Sequence, residues 1–282
     1  MCRLFAVLSV EPSDAKTYLL DTECSLYNLS HVRSQRLQKD GWGVAYYVNN
    51  RPIVKKSQKP LYEEPDQFKL VTHEAKSKII VAHIRQASNP RRLTLNQLIG
   101  IENTQPFWSD EYVFAHNGTI NLPDELEEQL GDYRAKLQGV NDSEIYFWYL
   151  MKEIHSGKDA LQAFYSFVAL LDNLWMKFRN SHKDMLHPYI GLNTILTDGK
   201  KLYAFCRFHK DYANSQLSLC QEDQKYFQMS YLPSAKHLVV ASEKLTRDER
   251  WKILDTDEVL IAEILDEQVH HQVVKAPRAI VQ

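Results

Sequence analysis

An apolar run, Leu4-Phe5-Ala6-Val7-Leu8, follows directly on Arg3 and sets a strand at the very start of the chain, with a cysteine, Cys2, at its head. Two descriptions fit that cysteine. If the initiator methionine is removed, as a small second residue permits, Cys2 carries a thiol and a free α-amine on one residue. An α-amine has a reference pKa of about 7.7–8.0, so near neutral pH it can take the thiol proton, directly or through a water, and return it later. The plain alternative is a small buried thiol that starts an edge strand, because free cysteine is among the most buried residue types. The first eight residues do not choose between them.

The rest of the chain limits the choice. At 282 residues, with 44% hydrophobic and 25% charged positions, it can bury a sizeable core, read here as one domain over residues 1–282. A formal charge of -2, from 34 basic and 36 acidic residues, gives no general attraction to nucleic acid or to an anionic membrane. No run approaches the ~18 apolar residues of a membrane span. Arg3 and the polar stretch from Glu11 do not resemble a signal peptide, so a cytoplasmic location is expected. Cys24, Cys206 and Cys220 lack CxxC spacing and disulfide density, and are expected to be reduced packing residues. His182, His187, His209 and the pair His270-His271 form no metal-ligand set with matching carboxylates or cysteines, so neither a metal nor a cofactor is expected.

Taken along the chain, Ser13 to Leu20 and Ser25 to Val32 read as short helices. Asp40-Gly41-Trp42-Gly43 opens a buried strand that Asn49-Asn50 turns into Arg51 to Ser57, a hairpin. Lys78 to Arg85 is the next strand. Its terminal arginine can grip a carboxylate through two parallel hydrogen bonds, although a solvated surface arginine would look the same. Asn117-Gly118, between apolar residues, is the signature of a two-residue type I′ turn. The same pair could form an oxyanion hole, with the Asn117 amide and the Gly118 N–H aimed at an oxygen that becomes negative when a thiolate attacks a carbonyl. Asn141 to Glu144 reads as a capping-box variant opening a helix, and it leaves Asp142 placed to hold an ammonium group. A second helix, from about Asp159 to Phe178, carries one apolar stripe of core residues. From Tyr189 onward the chain is mostly strands, including Lys225 to Tyr231, with a hairpin at Asp198-Gly199.

An N-terminal Cys2, a strand-end Arg85, Asn117-Gly118 after a strand and Asp142 opening a helix occur here in the order found in one family. With Asp40-Gly41-Trp42-Gly43, Asn103 and Pro106 ahead of His116-Asn117-Gly118, and Val240-Ala241-Ser242-Glu243, the chain resembles the class II glutamine amidotransferases, N-terminal-nucleophile hydrolases. It is most similar to the stand-alone branch that holds the ergothioneine-pathway γ-glutamyl hydrolase and the glutathione-degrading amidotransferase subunit. The resemblance implies an α+β fold, a four-layer αββα sandwich of two mainly antiparallel sheets. It implies that Cys2 attacks glutamine or a γ-glutamyl amide and forms a γ-glutamyl thioester. Asn117 and Gly118 would stabilise the oxyanion, Arg85 would bind the α-carboxylate, Ser88 would touch the substrate head and Asp142 would bind the α-ammonium. The implied partners are the small-molecule substrate and a separate synthase or peptidase that takes the released product, since no synthase domain follows in the chain. Where relatives carry a tryptophan and a Thr-His pair after the arginine, this chain has Gln86, Ser88 and Asn89, and Gln105 stands where many have histidine. Two alternatives stay open: a glutaminase subunit that supplies ammonia to a synthase, and a non-catalytic γ-glutamyl-binding module if Met1 is retained.

Overall fold

The computed structural model describes residues 2–213, 218–221 and 223–276. The N-terminal apolar run becomes β1 (Arg3–Ser13), buried from Arg3 to Val10. A strand with no solvent face needs neighbours on both edges and cover on both faces, and β1 has them. It lies between β4 (Ser77–Ile84) and β10 (His237–Ala241), antiparallel to each. The edge-strand alternative is therefore excluded.

Beyond β4 lie β2 (Trp42–Val48) and β3 (Arg51–Ser57), joined by Asn49 and Asn50 at φ of 51° and 62°, the left-handed pair that a tight hairpin needs. Beyond β10 lie β9 (Met229–Pro233) and β11 (Lys252–Leu254), which complete a sheet ordered β11-β9-β10-β1-β4-β2-β3. The second sheet runs β13-β12-β8-β7-β6-β5, from β5 (Phe107–Ser109), β6 (Tyr112–Ile120), β7 (Tyr189–Thr197), β8 (Lys201–Cys206), β12 (Glu258–Leu265) and β13 (Gln268–Lys275). Its pairings are antiparallel as well.

Strands up to Ile120 and strands from Tyr189 onward mix in both sheets. β1 and β4 face β6 and β7 across the central core, where Leu4, Val7, Ala82, Ala115 and Ile195 belong to one apolar cluster. The first sheet is covered outside by a π-helical turn at Thr17–Asp21, by α1 (Leu26–Leu29) and by α2 (Pro65–Glu74), through Leu19, Leu26, Phe68 and Val71. Two short helices follow, α3 (Leu95–Leu98) and α4 (Pro123–Glu127). The second sheet is covered by α5 (Asp142–His155) and α6 (Ala160–Phe178), whose Phe147, Phe164 and Phe167 pack on Phe114, Leu192 and Phe205. The result is a four-layer αββα sandwich of two antiparallel sheets, an α+β fold as the resemblance implies.

Four local expectations need correction. Ser13 to Leu20 is not a helix from Ser13, because β1 runs to Ser13 and Ala15 has a φ of 51°, which delays the helical turn to Thr17. Lys225 to Tyr231 is extended only from Met229. Asn117-Gly118 is not a turn. Neither residue has a positive φ, and both lie inside β6, opposite Asn193 and Leu192 of β7. Gly118 is there for space, since a Cβ would run into the carbonyl of Gly191 on β7. Finally, Cys24 and Cys220 are not reduced packing residues. They form a disulfide across a sequence separation of 196, with Cα atoms 5.9 Å apart. Cys2 and Cys206 are the free cysteines.

Candidate active site

The β1–β4 register builds the first half of the site. Arg3 pairs with Ile84, so one step further Cys2 meets the segment at Arg85 and Gln86. The Cys2 Sγ lies 3.4 Å from both the backbone N–H and the carbonyl of Gln86. Cys2 is buried, at 8% exposure, and burial pushes its thiol up from the ordinary value, while the Gln86 contact and the charge of Arg85 pull it back. A thiol in that setting is largely protonated at neutral pH and needs a base. Met1 lies outside the described residues, and so does any question of its removal.

Asp40-Gly41 pins the strand end that presents Arg85. The Asp40 N–H donates to the Arg85 carbonyl at 3.1 Å, the Arg85 N–H to the Gly41 carbonyl at 2.8 Å, and the Ala87 N–H to Asp40 Oδ2 at 2.7 Å. Gly41 has a φ of 120°, and a Cβ there would press on Ser57 and Thr104. Arg85 is itself buried, with Nη1 donating to the Asp40 carbonyl at 3.2 Å. Burial lowers its pKa, and the neighbouring Cys2, Asp40, Asp142 and Glu102 offset this. The guanidinium is thus flanked by groups that carry or can acquire negative charge. Ser88 stands half-buried two residues beyond Gln86, and no hydrogen bond joins it to these groups among the described residues.

The second half comes from β6. His83 of β4 is pressed close to His116 of β6, and burial, reinforced by Arg85 and His116, lowers its pKa to about 3. The two sheets therefore meet at the level of Arg85 on one side and Asn117 on the other. Asn117 is 0% exposed, and neither atom of its amide has a hydrogen-bond partner among the described residues. Its partner in the register, Asn193, shows the contrast: Nδ2 donates to the Phe227 carbonyl at 2.6 Å and Oδ1 accepts from the Arg207 N–H at 3.0 Å. A buried amide left without partners costs about 1–3 kcal/mol per group, and such groups in a folded protein call for a functional reason.

His116 joins this strand to α5. Its Nε2 faces the Gly191 carbonyl at 3.1 Å, and a carbonyl only accepts, so Nε2 carries the proton. Nδ1 then accepts from the Ser143 hydroxyl at 2.9 Å. Burial lowers the His116 pKa to about 4, so the bridge is neutral in ordinary buffers. The Gln105 side chain accepts the His116 N–H at 2.5 Å, which ties this glutamine to β6.

Next to Ser143, Asp142 sits at the first turn of α5, 2% exposed, and its Oδ2 accepts the Ile120 N–H at 2.7 Å. Burial raises its pKa to about 6 against those backbone bonds and the charge of Arg85. Asn141 caps the helix by accepting the Glu144 N–H at 2.8 Å. Only half of the capping box forms, because the Glu144 carboxylate turns to the N–H groups of Gln138 and Gly139 instead. Asn103 fixes this end of α5, its Oδ1 accepting the Val140 N–H and its carbonyl accepting from the Asn141 amide.

Cys2 and Asp142 both lie near enough to Arg85 to act on its charge, and Asn117 is on the strand that carries Asp142's hydrogen-bond partner. Asp40, Gln86 and His116 are supporting residues that the sequence names only as parts of motifs, without a role in the site. Only Asp40-Gly41 before a buried strand offered a local signal for them. Among the described residues no cluster of three or more histidine, cysteine, aspartate or glutamate side chains is arranged to hold a metal ion, and no helix is long and apolar enough to cross a membrane.

Comparison with known proteins bears on the chain as a whole. A family model described as glutamine amidotransferases class-II matches residues 1–272. Relatives include the Escherichia coli K12 protein named "Putative glutamine amidotransferase YafJ", 26% identical over 224 residues, or 76% of this chain and 81% of that protein. A Haemophilus influenzae protein with the same description is 25% identical over 223 residues, 75% of this chain and 69% of its own length. Among solved structures, a glutamine aminotransferase class-II domain protein from Silicibacter pomeroyi superposes with a TM-score of 0.61 at 18% identity, over 98% of this chain and 100% of that one. The glutamine phosphoribosylpyrophosphate amidotransferase of Bacillus subtilis gives 0.62 at 17% identity, over 96% of this chain and 49% of that one. At these identities the structural likeness speaks for the fold.

Proposed function

The chain belongs to the class II glutamine amidotransferases, and on that premise we propose that it is a cysteine-dependent amidohydrolase that releases glutamate from glutamine or a γ-glutamyl amide. Once Met1 is removed, the Cys2 Sγ attacks the amide carbon while the thiol proton passes to the Cys2 α-amine. The tetrahedral oxyanion rests on the Asn117 amide and the Gly118 N–H. As the C–N bond breaks, the α-ammonium returns its proton to the leaving nitrogen, and ammonia or an amine departs from a γ-glutamyl thioester. Water, deprotonated by the same α-amine, then attacks the thioester, and the sulfur leaves with a proton as the thiol. Arg85 binds the substrate α-carboxylate and Asp142 the α-ammonium, with Ser88 at the substrate head.

The observation that carries this reading is the Asn117 amide, fully buried and without a partner on the strand that faces Cys2 and Arg85. The raised thiol pKa supports a mechanism that supplies its own base. The direct test is glutamate release from glutamine and from γ-glutamyl amides by the purified protein. Turnover with at least one of them, abolished in Cys2→Ala, is expected; equal turnover in that variant contradicts the proposal.

A further inference from the structure

The residue after the nucleophile is a charged side chain with no access to solvent. Arg3 and Glu243 are both 0% exposed, with Arg3 Nε 3.1 Å from Glu243 Oε1. The Nε–H does not point along that line, so the contact is an ion pair and not a hydrogen bond. Desolvation roughly cancels the attraction within such a buried pair, so its stability alone gives little reason for it.

What the pair touches is more telling. Arg3 Nη1 donates to the carbonyl of Cys2 at 3.1 Å, and the guanidinium lies 4.0 Å from the ring centre of Tyr226. The Glu243 carboxylate accepts from three successive backbone N–H groups, Leu219 at 3.2 Å, Cys220 at 2.8 Å and Gln221 at 3.4 Å. Consecutive N–H groups of this kind make an anion cradle, and here the protein fills it with its own side chain. The loop that supplies them is fastened twice more: Cys220 is bonded to Cys24, and the Leu219 carbonyl accepts from Arg33 Nε at 2.9 Å. Ser242, beside Glu243, ties β1 down directly, its Oγ accepting the Leu4 N–H at 2.9 Å.

We propose that Glu243 is a positioning residue for the nucleophile: through Arg3 it anchors the peptide plane from which Cys2 extends, and the Cys24–Cys220 bridge secures the loop that holds Glu243. The inference rests on Cys2 being the nucleophile. With the plane anchored by Arg3 and Sγ held at Gln86, the thiol and the α-amine are set from two sides. Near-attack geometry is sensitive to this, since a displacement of about 1 Å can cost on the order of a hundredfold in rate. Neither Glu243 nor the disulfide touches substrate in this account.

The test compares Glu243→Gln, which drops the charge opposite Arg3, with Arg3→Met/Glu243→Gln, which removes both charges and leaves none alone in the core. A third arm reduces the disulfide with a dithiol. Two electrons and two protons pass to the sulfurs of Cys24 and Cys220, and the dithiol closes to its own disulfide. Cys24→Ser/Cys220→Ser is its genetic counterpart. Two readouts are taken on folded protein: the kcat and KM of glutamate release, and the rate of Cys2 alkylation by iodoacetamide, followed peptide by peptide without substrate.

The expected result is a fall of about tenfold or more in kcat, with KM within about twofold and a parallel fall in alkylation, in both charge variants. A smaller fall in the same direction is expected for the reduced protein and for Cys24→Ser/Cys220→Ser. Wild-type kcat and alkylation in Arg3→Met/Glu243→Gln would overturn the positioning role. Wild-type values in the reduced protein and its serine counterpart would overturn the part assigned to the bridge. If no form releases glutamate yet alkylation still follows the Arg3–Glu243 pair, the proposed activity fails and the positioning role stands.

Discussion

Replacing Asn117 with alanine should separate activity from stability, because the two depend on this amide in opposite ways. In the proposed mechanism the Nδ2 group donates, in the transition state, to an oxyanion that the ground-state carbonyl does not yet present. Loss of one such donor costs about 3–4 kcal/mol, a fall of roughly 10²–10³ in kcat. KM should stay within about threefold, since a contact made only in the transition state does not contribute to ground-state binding. Without substrate the same amide is a burden, with both its polar atoms buried and unpartnered. Relieving them returns about 1–3 kcal/mol each, against roughly 1 kcal/mol for the lost packing of the side chain. The net gain of about 1–5 kcal/mol should therefore raise the melting temperature by about 2 °C or more, at about 2–4 °C per kcal/mol. Steady-state glutamate release and calorimetry on the same preparation measure both. Turnover within threefold of wild type, or a lowered melting temperature with turnover unchanged, would refute the assignment of Asn117 to the oxyanion.

Further outcomes follow from the same geometry. Asp142 must be ionised to hold an ammonium, and burial raises its pKa to about 6, so kcat/KM should fall as pH drops through about 6, approaching one decade per unit. A flat kcat/KM between pH 5 and 7 contradicts that role. Because its folded pKa lies above the ordinary 3.8, protonation as pH falls from about 6 toward 4 stabilises the fold, so the loss of activity should appear without unfolding. Arg85→Lys should raise KM by about ten- to a hundredfold with a smaller change in kcat, since an ammonium cannot reproduce the paired hydrogen bonds of a guanidinium; an unchanged KM argues against carboxylate binding there. Gly118→Ala should lower the melting temperature, because the new methyl must push β6 away from the Gly191 carbonyl at a cost of about 1–3 kcal/mol. Thermal denaturation checks this, and an unshifted midpoint contradicts it.

Much of the fold was legible because its signals are local. The apolar run after Cys2, Asn49-Asn50 between two strands and the apolar stripe of Asp159 to Phe178 each carry their own structure. Asn117-Gly118 shows the limit of that logic. The dipeptide suits a type I′ turn and a crowded strand interior equally well, and only the approach of Gly191 from the neighbouring strand selects the second. The mixing of early and late strands was hidden for a related reason, since hairpin neighbours are local but the pairing of β1 with β4 and β10 is chosen by the packed core. Cys24 and Cys220 gave no sign of partnership because their proximity depends on a loop drawn in by Glu243, far away in sequence. In the site, Cys2, Arg85 and Asp142 could be proposed from residue type and order. His116 and Asp40, which set their geometry through backbone carbonyls and N–H groups, could not.

The proposed reaction requires Cys2, with a free α-amine, to be the nucleophile of a γ-glutamyl site. The intact mass of the purified protein, before and after incubation with the diazo-ketone analogue of glutamine, tests it most directly. The expected product is a chain lacking the mass of Met1 that gains one stoichiometric adduct, suppressed by excess glutamine and absent in Cys2→Ala. A chain that retains Met1 and gains no adduct would contradict it.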